Sequence, residues 1–177
     1  MNVKSAFACL LRISGLAALL FMVSFSVAAR AEVTVTFYSH DFGKNFPHAF
    51  FVAKGELADG QKVDTGFGFT AINVSPGILF GSVKGHVKAP SADYIASSNP
   101  HFTVKVSDKK YRELLGVVKK WQAIPQKSYS LNKRNCVHFI NDVIKTLDLK
   151  TNLKTANWKK PRSFMEEVMK LNPFLKY

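Results

Sequence analysis

The chain has 177 residues, of which 47% are hydrophobic and 21% are charged. That length and composition suit one globular domain with its own core, and they exclude a disordered tail. The net charge of +13 favours anionic partners, such as phospholipid head groups or envelope polymers. Because the basic residues are scattered as doublets and no nucleic-acid-binding motif is present, nucleic acid is not expected among these partners.

Residues 1–31 have the layout of a secretory signal peptide. Lys4 and Arg12 are basic, residues 13–29 are almost wholly apolar, and Ala29-Arg30-Ala31 matches a small-x-small cleavage site. Cleavage would remove three basic residues and no acidic one, which lowers the net charge from +13 to +10. An uncleaved anchor is the alternative, since the apolar run is near the lower length limit for a membrane span. The layout predicts an exported protein, periplasmic or secreted.

The mature chain, residues 32–177, would be a single domain with one cysteine. Cys9 lies in the signal segment, which leaves Cys136 alone after cleavage. Exported proteins usually pair their cysteines, so a single thiol is either reactive or available for an intermolecular bond. The chain lacks the Cys/His spacing of a zinc site, and we expect no metal and no cofactor.

The first half of the mature chain is predicted to form strands. Residues 33–40, 48–56 and 62–71 have strand-like apolar patterns, and Asp59-Gly60 is a hairpin signal between the last two. Two shorter apolar runs follow, at 78–83 and 102–106, with a polar loop rich in Pro, Ser and Ala between them.

The second half is predicted to form helices. Ser107 caps a helix that ends before Pro125, and its apolar residues at 111, 114, 115, 118 and 121 follow the helical period. Residues 129–131 suit a brief strand, and Asn135 then caps a second helix. Near the end of the chain, Ser163 and Glu166 suggest a capping box for a short final helix. The predicted fold class is α+β, an antiparallel sheet packed against helices.

Cys136 falls in the first turn of the second helix, where a nucleophile is favoured. The free backbone N–H groups and the partial positive charge of a helix start stabilise a thiolate, so a lowered thiol pKa is expected. The N–H of Cys136 could also donate to an oxyanion. The alternative is that Cys136, which lies on the apolar face of the helix, is a small buried hydrophobic residue.

A catalytic base would have to come from one of the histidines. His138 lies about 200° around the helix from Cys136, on the polar side, so adjacency in sequence does not make it the base. His48 opens an apolar strand, and a histidine at a strand end facing a helix start suits a Cys–His pair. His40 is the second candidate, while His86 and His101 are expected in exposed loops.

A third group usually orients such an imidazole. Asp64 and Thr65 lie on the strand after the hairpin, next to the strand that His48 opens. Either side chain could reach His48, and the sequence does not choose between them.

The order of these residues resembles a known group of enzymes. A histidine opening an early strand, then "SPGILFG", then "YSLNKRNCVHFINDV" resemble the circularly permuted papain-like cysteine hydrolases. The PPPDE group, which includes the deSUMOylating isopeptidases, is the most similar, and lecithin:retinol acyltransferase-like and NlpC-type proteins are related. The resemblance spans about residues 37–147. It implies a papain-like fold with Cys136 as nucleophile and His48 as general base, and it gives Tyr129 an oxyanion or structural role.

Two features depart from these groups. The acyltransferases usually have a second histidine on the strand after the first, and residues 64–70 contain none. The isopeptidases are intracellular, whereas this chain begins with an export signal.

Three functions follow as expectations. The first is an exported cysteine hydrolase that cleaves an amide bond, as a peptidase or amidase, in peptides or cell-envelope material. The second is a lipid-directed acyl hydrolase or acyltransferase with the same nucleophile, in which Phe42 and Phe46 help the protein to contact anionic bilayers. The third is a non-enzymatic envelope-binding protein on the same fold.

Overall fold

The computed structural model describes residues 32–43, 46–73 and 76–175. The predicted signal peptide, residues 1–31, lies outside the described residues. Ala31–Tyr177 forms a compact unit of its own. Within the described ranges, no helix is long and apolar enough to cross a membrane.

Five strands form one antiparallel sheet in the order β4-β3-β2-β1-β5. They are β1 (Val33–His40), β2 (His48–Glu56), β3 (Lys62–Ala71), β4 (Gly85–Lys88) and β5 (Asn99–Val106). The first three match the predicted strands, and the Asp-Gly turn connects β2 and β3. The α+β class with an antiparallel sheet is therefore confirmed.

Five helices complete the described structure: α1 (Gly77–Phe80), α2 (Ala92–Ala96), α3 (Asp108–Gln122), α4 (Cys136–Thr146) and α5 (Pro161–Leu171). The predicted caps of α3 and α4 are both present. Ser107 accepts a hydrogen bond from the Lys110 N–H, and Asn135 accepts from the N–H groups of Val137 and His138. These side chains satisfy backbone donors that a helix start otherwise leaves unpaired.

The core lies between one face of the sheet and helices α3, α4 and α5. Along β1 every second residue is buried, so that Val33, Val35 and Phe37 point into this core. Phe37 stacks on Phe102 with ring centroids 4.7 Å apart, and Phe51 lies 6.1 Å from Phe139 of α4. Each large aromatic side chain buried in this way contributes about 1.5–3 kcal/mol.

The structure settles the form of two short segments, the apolar run at 78–83 and the brief strand predicted at 129–131. Part of the run at 78–83 forms the single turn of α1, and the fourth strand begins only at Gly85. The predicted strand at 129–131 is reduced to isolated bridges, of which the bond pair between Val83 and Tyr129 is one. Both segments are short apolar runs, which fit a strand or a helical turn equally well.

The capping box predicted for the last helix is wrong. Helix α5 begins at Pro161 with Lys160 at the cap position, and no side chain caps it. Ser163 and Glu166 therefore lie inside the helix. Proline is favoured at the first helical position because its fixed φ angle suits the helix and its missing N–H has no partner there in any case.

The sheet opens into a fork at one end. The pairing of β2 with β3 stops at Phe51 and Phe67, so residues 48–50 pair only with β1 and residues 68–71 only with β4. We call this opening the fork. It leaves backbone groups on the β3 side of residues 48–50 without a strand partner, and the first residue of α4 reaches this point.

Candidate active site

The sulfur of Cys136 lies at the fork. Cys136 is the first residue of α4 and is only 4% exposed. The backbone N–H groups of Ala49, Val137 and Cys136 itself are positioned to donate hydrogen bonds to the sulfur. Ala49 directly follows His48 in β2, so the fork brings the predicted nucleophile to the residue next to the predicted base.

Cys136 and His48 line the same cavity, which has a volume of about 600 Å³. Alternation along β2 places Ala49 and Phe51 on the face that packs against α4, and His48 and Phe50 on the opposite face. The thiol and the imidazole therefore enter the cavity from opposite sides of the sheet, through the fork.

Glycine at position 68 makes room for the imidazole. A Cβ atom on Gly68 would lie 2.4 Å from Nε2 of His48, which is closer than real contacts allow. Two residues earlier in β3, and on the same face, a Cβ on Gly66 would lie 3.0 Å from the ring of Pro90. The "GFGF" pattern within β3 thus marks a close approach of neighbouring groups to the strand, as glycine inside strands often does.

Aromatic rings surround His48. Its ring centroid lies 6.1 Å from that of Phe50 and 6.4 Å from that of Tyr94. Among the described residues, no side chain or backbone group forms a hydrogen bond with the ring. His48 is therefore positioned by packing rather than by a third polar group.

The protonation states favour a neutral pair. Burial raises the pKa of the Cys136 thiol to about 11, although the three backbone N–H groups oppose this shift. Burial, helped by the nearby His40, lowers the pKa of His48 to about 4. The expectation that the helix start would lower the thiol pKa is thus wrong, because removing the thiolate from water costs more than the helix start provides.

The cap of α4 reduces the number of donors at the helix start. The Oδ1 atom of Asn135 accepts from the Val137 N–H at 2.9 Å and from the His138 N–H at 3.2 Å. The amide group of Asn135 donates in turn to the carbonyls of Leu131 and Trp158. The N–H of Cys136 is the helix-start donor that this cap does not occupy.

Two tyrosines line the cavity close enough to Cys136 to interact with it electrostatically. Burial raises the pKa of Tyr94 to about 12, with a smaller contribution from Cys136, and the pKa of Tyr129 is raised for the same two reasons. Both hydroxyls therefore stay protonated and can donate. Tyr129 was predicted from the resemblance, and its position beside the cavity fits an oxyanion donor as well as a structural role.

Tyr94 was missed by the sequence reasoning. It lies on α2, a five-residue helix within the segment that was predicted as a polar loop. A signal was present, because Ser91 follows Pro90 and accepts a hydrogen bond from the Tyr94 N–H as an N-cap. Its ring also stacks on His40 at 4.3 Å.

Asp64 and Thr65 do not orient His48. In the register of β2 and β3, Asp64 pairs with Lys54 and Thr65 with Ala53. These positions lie five to six residues along β2 from His48, which is about 15–20 Å. Asp64 also forms an exposed ion pair with Lys54.

The remaining histidines have other positions. His40 lines the second, smaller cavity, and its Nδ1 atom forms a hydrogen bond of 3.1 Å with Oγ of Ser98. His138 accepts from the Asn135 N–H as part of the cap and stacks on Trp158 at 4.4 Å. The predicted loop positions of His86 and His101 are wrong, since His86 lies in β4 and His101 is buried in β5. His48 is the histidine that shares the cavity with Cys136.

The charged side chains that line the cavity are both basic, Lys88 and Lys159. Most other lining groups are apolar, including Phe46, Phe50 and Ile78. In the part of the chain that the structure describes, no group of three or more His, Cys, Asp or Glu side chains could hold a metal ion. The cavity therefore suits a ligand with an apolar part and an anionic part.

Comparisons with known proteins add no relative. No protein family, curated protein or solved structure matches this chain.

Proposed function

We propose that the chain is an exported cysteine hydrolase of the circularly permuted papain-like type, which cleaves an amide bond as a peptidase or amidase. The observation that carries this proposal is the fork, where the first residue of a helix brings the Cys136 thiol into the cavity that His48 also lines. A thiol, an imidazole and the helix-start N–H that the Asn135 cap leaves unoccupied are parts that acyl transfer needs.

The reaction would proceed through an acyl-enzyme. The sulfur of Cys136 attacks the substrate carbonyl carbon while its proton passes to the ring of His48. The N–H of Cys136 and a tyrosine hydroxyl, from Tyr94 or Tyr129, donate to the oxyanion. The C–N bond then breaks as His48 returns the proton to the leaving nitrogen. Water, deprotonated by His48, then attacks the thioester carbonyl. The C–S bond breaks, His48 returns the proton to the Cys136 sulfur, and the carboxylic acid is released.

The pKa values determine how the first step occurs. The pKa of the Cys136 thiol is about 11 and the pKa of His48 is about 4. The neutral thiol and imidazole are therefore favoured over a resting thiolate–imidazolium pair. Proton transfer must therefore accompany the attack of sulfur on the carbonyl, as in general base catalysis. An imidazolium with a low pKa is a strong acid, which favours protonation of the leaving nitrogen in the next step.

The lining of the cavity supports an anionic substrate. Lys88 and Lys159 supply two positive charges, and the aromatic and aliphatic walls bind an apolar group. Peptide, cell-envelope or lipid material that carries an acidic group next to an acyl chain combines both features. An ester of the same acyl group would react by the same steps, so a lipid-directed acyl hydrolase or acyltransferase uses the same residues.

Acylation by activated esters tests this function. We expect p-nitrophenyl esters of N-acylated amino acids to release one equivalent of nitrophenol in a burst and to add the acyl mass to Cys136. Cys136→Ala should abolish the burst, and His48→Gln should slow it by about 10²-fold or more. Acylation that is absent, or that persists in Cys136→Ala, would contradict the proposal.

A non-enzymatic binding protein is the second candidate, because two observations favour it. Burial holds the Cys136 thiol protonated, and no polar group orients the His48 ring among the described residues. In that case the cavity would bind an anionic amphiphile reversibly, and neither Cys136→Ala nor His48→Gln would remove the activity of the protein. The acylation experiment separates the two functions.

A further inference from the structure

Exposed hydrophobic side chains are concentrated near the cavity. In the described part of the chain eight large hydrophobic side chains are exposed, and five of them lie in residues 42–46 and 72–80. We call these five the apolar rim: Phe42, Phe46, Ile72, Leu79 and Phe80. Phe80 is 88% exposed, Phe42 74% and Leu79 67%. Large apolar side chains exposed in this way next to a cavity favour an interaction site.

The apolar rim borders the opening of the cavity. Phe46 itself lines the cavity, and the rings of Phe46 and Phe42 lie 6.1 Å apart. On the other segment, Ile78 and Ala71 line the cavity and directly adjoin rim residues in the chain. A surface that covered the rim would therefore also cover the cavity opening.

Lysines lie next to residues of both rim segments. Lys84 lies beside Ile72, whose N–H donates to the Lys84 carbonyl at 2.9 Å. Lys159 and Lys160 line the second cavity together with Phe42. None of these three lysines forms an ion pair with a carboxylate among the residues described here. The one acidic residue in that cavity, Asp41, is neutralised by Arg162, whose Nε donates to it at 3.0 Å.

We propose that the apolar rim docks on an anionic lipid bilayer, with the cavity opening facing the membrane. Aromatic side chains next to uncompensated lysines combine the two attractions that hold proteins at membrane interfaces, apolar insertion and binding of anionic head groups. A second copy of the chain fits less well. An interface of two-fold symmetry would bring the lysines of both copies together, in a protein whose net charge is already +13.

This inference goes beyond the proposed reaction and does not depend on it. Docking requires the rim and the lysines, whereas hydrolysis requires Cys136 and His48. If both hold, the enzyme draws an acylated, anionic substrate from the bilayer into the cavity that Phe46 lines.

Vesicle binding of residues 32–177 tests the inference, because Ala31–Tyr177 forms a compact unit and the apolar signal segment would bind vesicles by itself. The protein carries Cys136→Ala, so that the result is independent of catalysis. Cosedimentation is measured with vesicles of phosphatidylcholine alone and of phosphatidylcholine mixed with phosphatidylglycerol. We expect binding to the anionic vesicles to be at least about ten-fold stronger than to the neutral ones.

Matched variants assign the binding to the rim. Phe46→Ser with Phe80→Ser should weaken binding by about ten-fold or more, because each buried aromatic side chain contributes several-fold in affinity. Phe174→Ser is the control, since Phe174 is 70% exposed but lies outside the rim. Its effect should be within about two-fold, as expected for a surface residue that does not insert.

A second pair of variants tests the electrostatic part. Lys159→Gln with Lys160→Gln should weaken binding by about ten-fold or more, at about five-fold for each charge. Lys54→Gln with Lys109→Gln is the control. Lys54 lies in β2 towards the β2–β3 turn, and Lys109 lies at the start of α3, where the neighbouring Asp108 accepts a hydrogen bond from the Ala58 N–H of that turn.

Three results would overturn the inference. They are the absence of binding to anionic vesicles, binding that the rim variants leave unchanged, and self-association that the rim variants abolish. The last result would assign the surface to a second copy of the chain. A matched circular dichroism spectrum and melting temperature of each variant distinguish loss of binding from loss of folding.

Discussion

Two histidines of the sheet, His101 and His48, differ in their relation to a hydroxyl or thiol side chain and in their access to a cavity. Ser39 and His101 are joined by a hydrogen bond of 2.8 Å, and Ser39 is fully buried. Neither residue lines either of the two cavities described above. Cys136 and His48 share a large cavity, and no hydrogen bond is formed by the His48 ring among the described residues. Ser39 and His101 thus satisfy each other, whereas Cys136 and His48 remain available to a ligand.

The difference shows why a short distance between a hydroxyl and an imidazole does not by itself identify a site. Burial lowers the pKa of both His101 and His48, so the protonation states do not separate the pairs either. What separates them is access, because a reactive group must meet a substrate. We therefore expect the pairs to respond in opposite ways to substitution.

The largest difference in rate is expected between the variants of Cys136 and Ser39. Cys136→Ala should reduce acylation and hydrolysis by at least about 10³-fold with little change in stability, because the attacking atom is lost. Ser39→Ala should leave the rates within about two-fold and cost about 1–3 kcal/mol, because His101 loses its buried partner. Burst kinetics and urea unfolding measure the two quantities. Equal rates for both variants would contradict the distinction.

The next effect is expected for the two histidines. His48→Gln should lower the acylation rate by about 10²-fold or more, since general base assistance is lost. His101→Gln is the matched control and should change the rate by less than about three-fold, as expected for a residue remote from substrate. A fall in rate for His101→Gln as large as that for His48→Gln would show that both act through stability alone.

Acidification should destabilise the protein. The pKa of His48 is about 4 in the folded state and 6.5 unperturbed, so the unfolded state binds more protons between these values. The free energy of unfolding is at its full value above pH 6.5 and should fall as the pH decreases towards 4, by up to about 3 kcal/mol from this group. His101, whose pKa is also lowered, adds a loss of the same sign. Urea unfolding at pH 7 and pH 4.5 measures the change. His48→Gln should reduce it.

Two glycines provide a smaller, opposite pair of effects. Gly68→Ala should destabilise the protein by about 1–3 kcal/mol and slow acylation, because the new methyl group overlaps the His48 ring. Gly116→Ala, in α3, meets no atom within 4 Å and should stabilise the protein by up to about 1 kcal/mol. Thermal melting of both variants tests the difference. A neutral Gly68→Ala would mean that His48 has room to move away from the strand.

The smallest effect concerns the cavity charges. Lys88 and Lys159 should accelerate alkylation of Cys136 by anionic iodoacetate relative to neutral iodoacetamide. Lys88→Gln with Lys159→Gln should lower this rate ratio by about three- to ten-fold, as expected for two partly screened charges. The ratio cancels the intrinsic reactivity of the thiol, so it reports on substrate charge alone. An unchanged ratio would remove the argument for an anionic substrate.

The elements were predictable where several local signals agree. The strands β1, β2 and β3 have clear apolar patterns, and the caps Ser107 and Asn135 begin helices with matching periodicity. Short segments gave no such agreement. The run at 78–83 contains one helical turn, and α2 was missed because a five-residue helix has too few positions to show a period.

The sequence indicates candidate residues for a site, but it gives only part of their geometry. The solitary cysteine at a helix start and the histidine at a strand start indicate Cys136 and His48 from the sequence. The fork, by contrast, depends on where the pairing of β2 with β3 stops, and only the register shows this. The same register moves Asp64 away from His48. The raised pKa of the Cys136 thiol could not be predicted from the sequence either, because it depends on burial in the folded chain.

The most direct test of the central claim is the pH dependence of alkylation of Cys136 by iodoacetamide. Since the thiol pKa is about 11, the thiolate alone would give a rate that rises about ten-fold per pH unit up to pH 10. If His48 removes the proton during attack, the wild-type rate should instead level off to a plateau between pH 5 and 8, which His48→Gln abolishes. Identical pH profiles for the two proteins, without a plateau, would contradict the claim that Cys136 and His48 act as a pair.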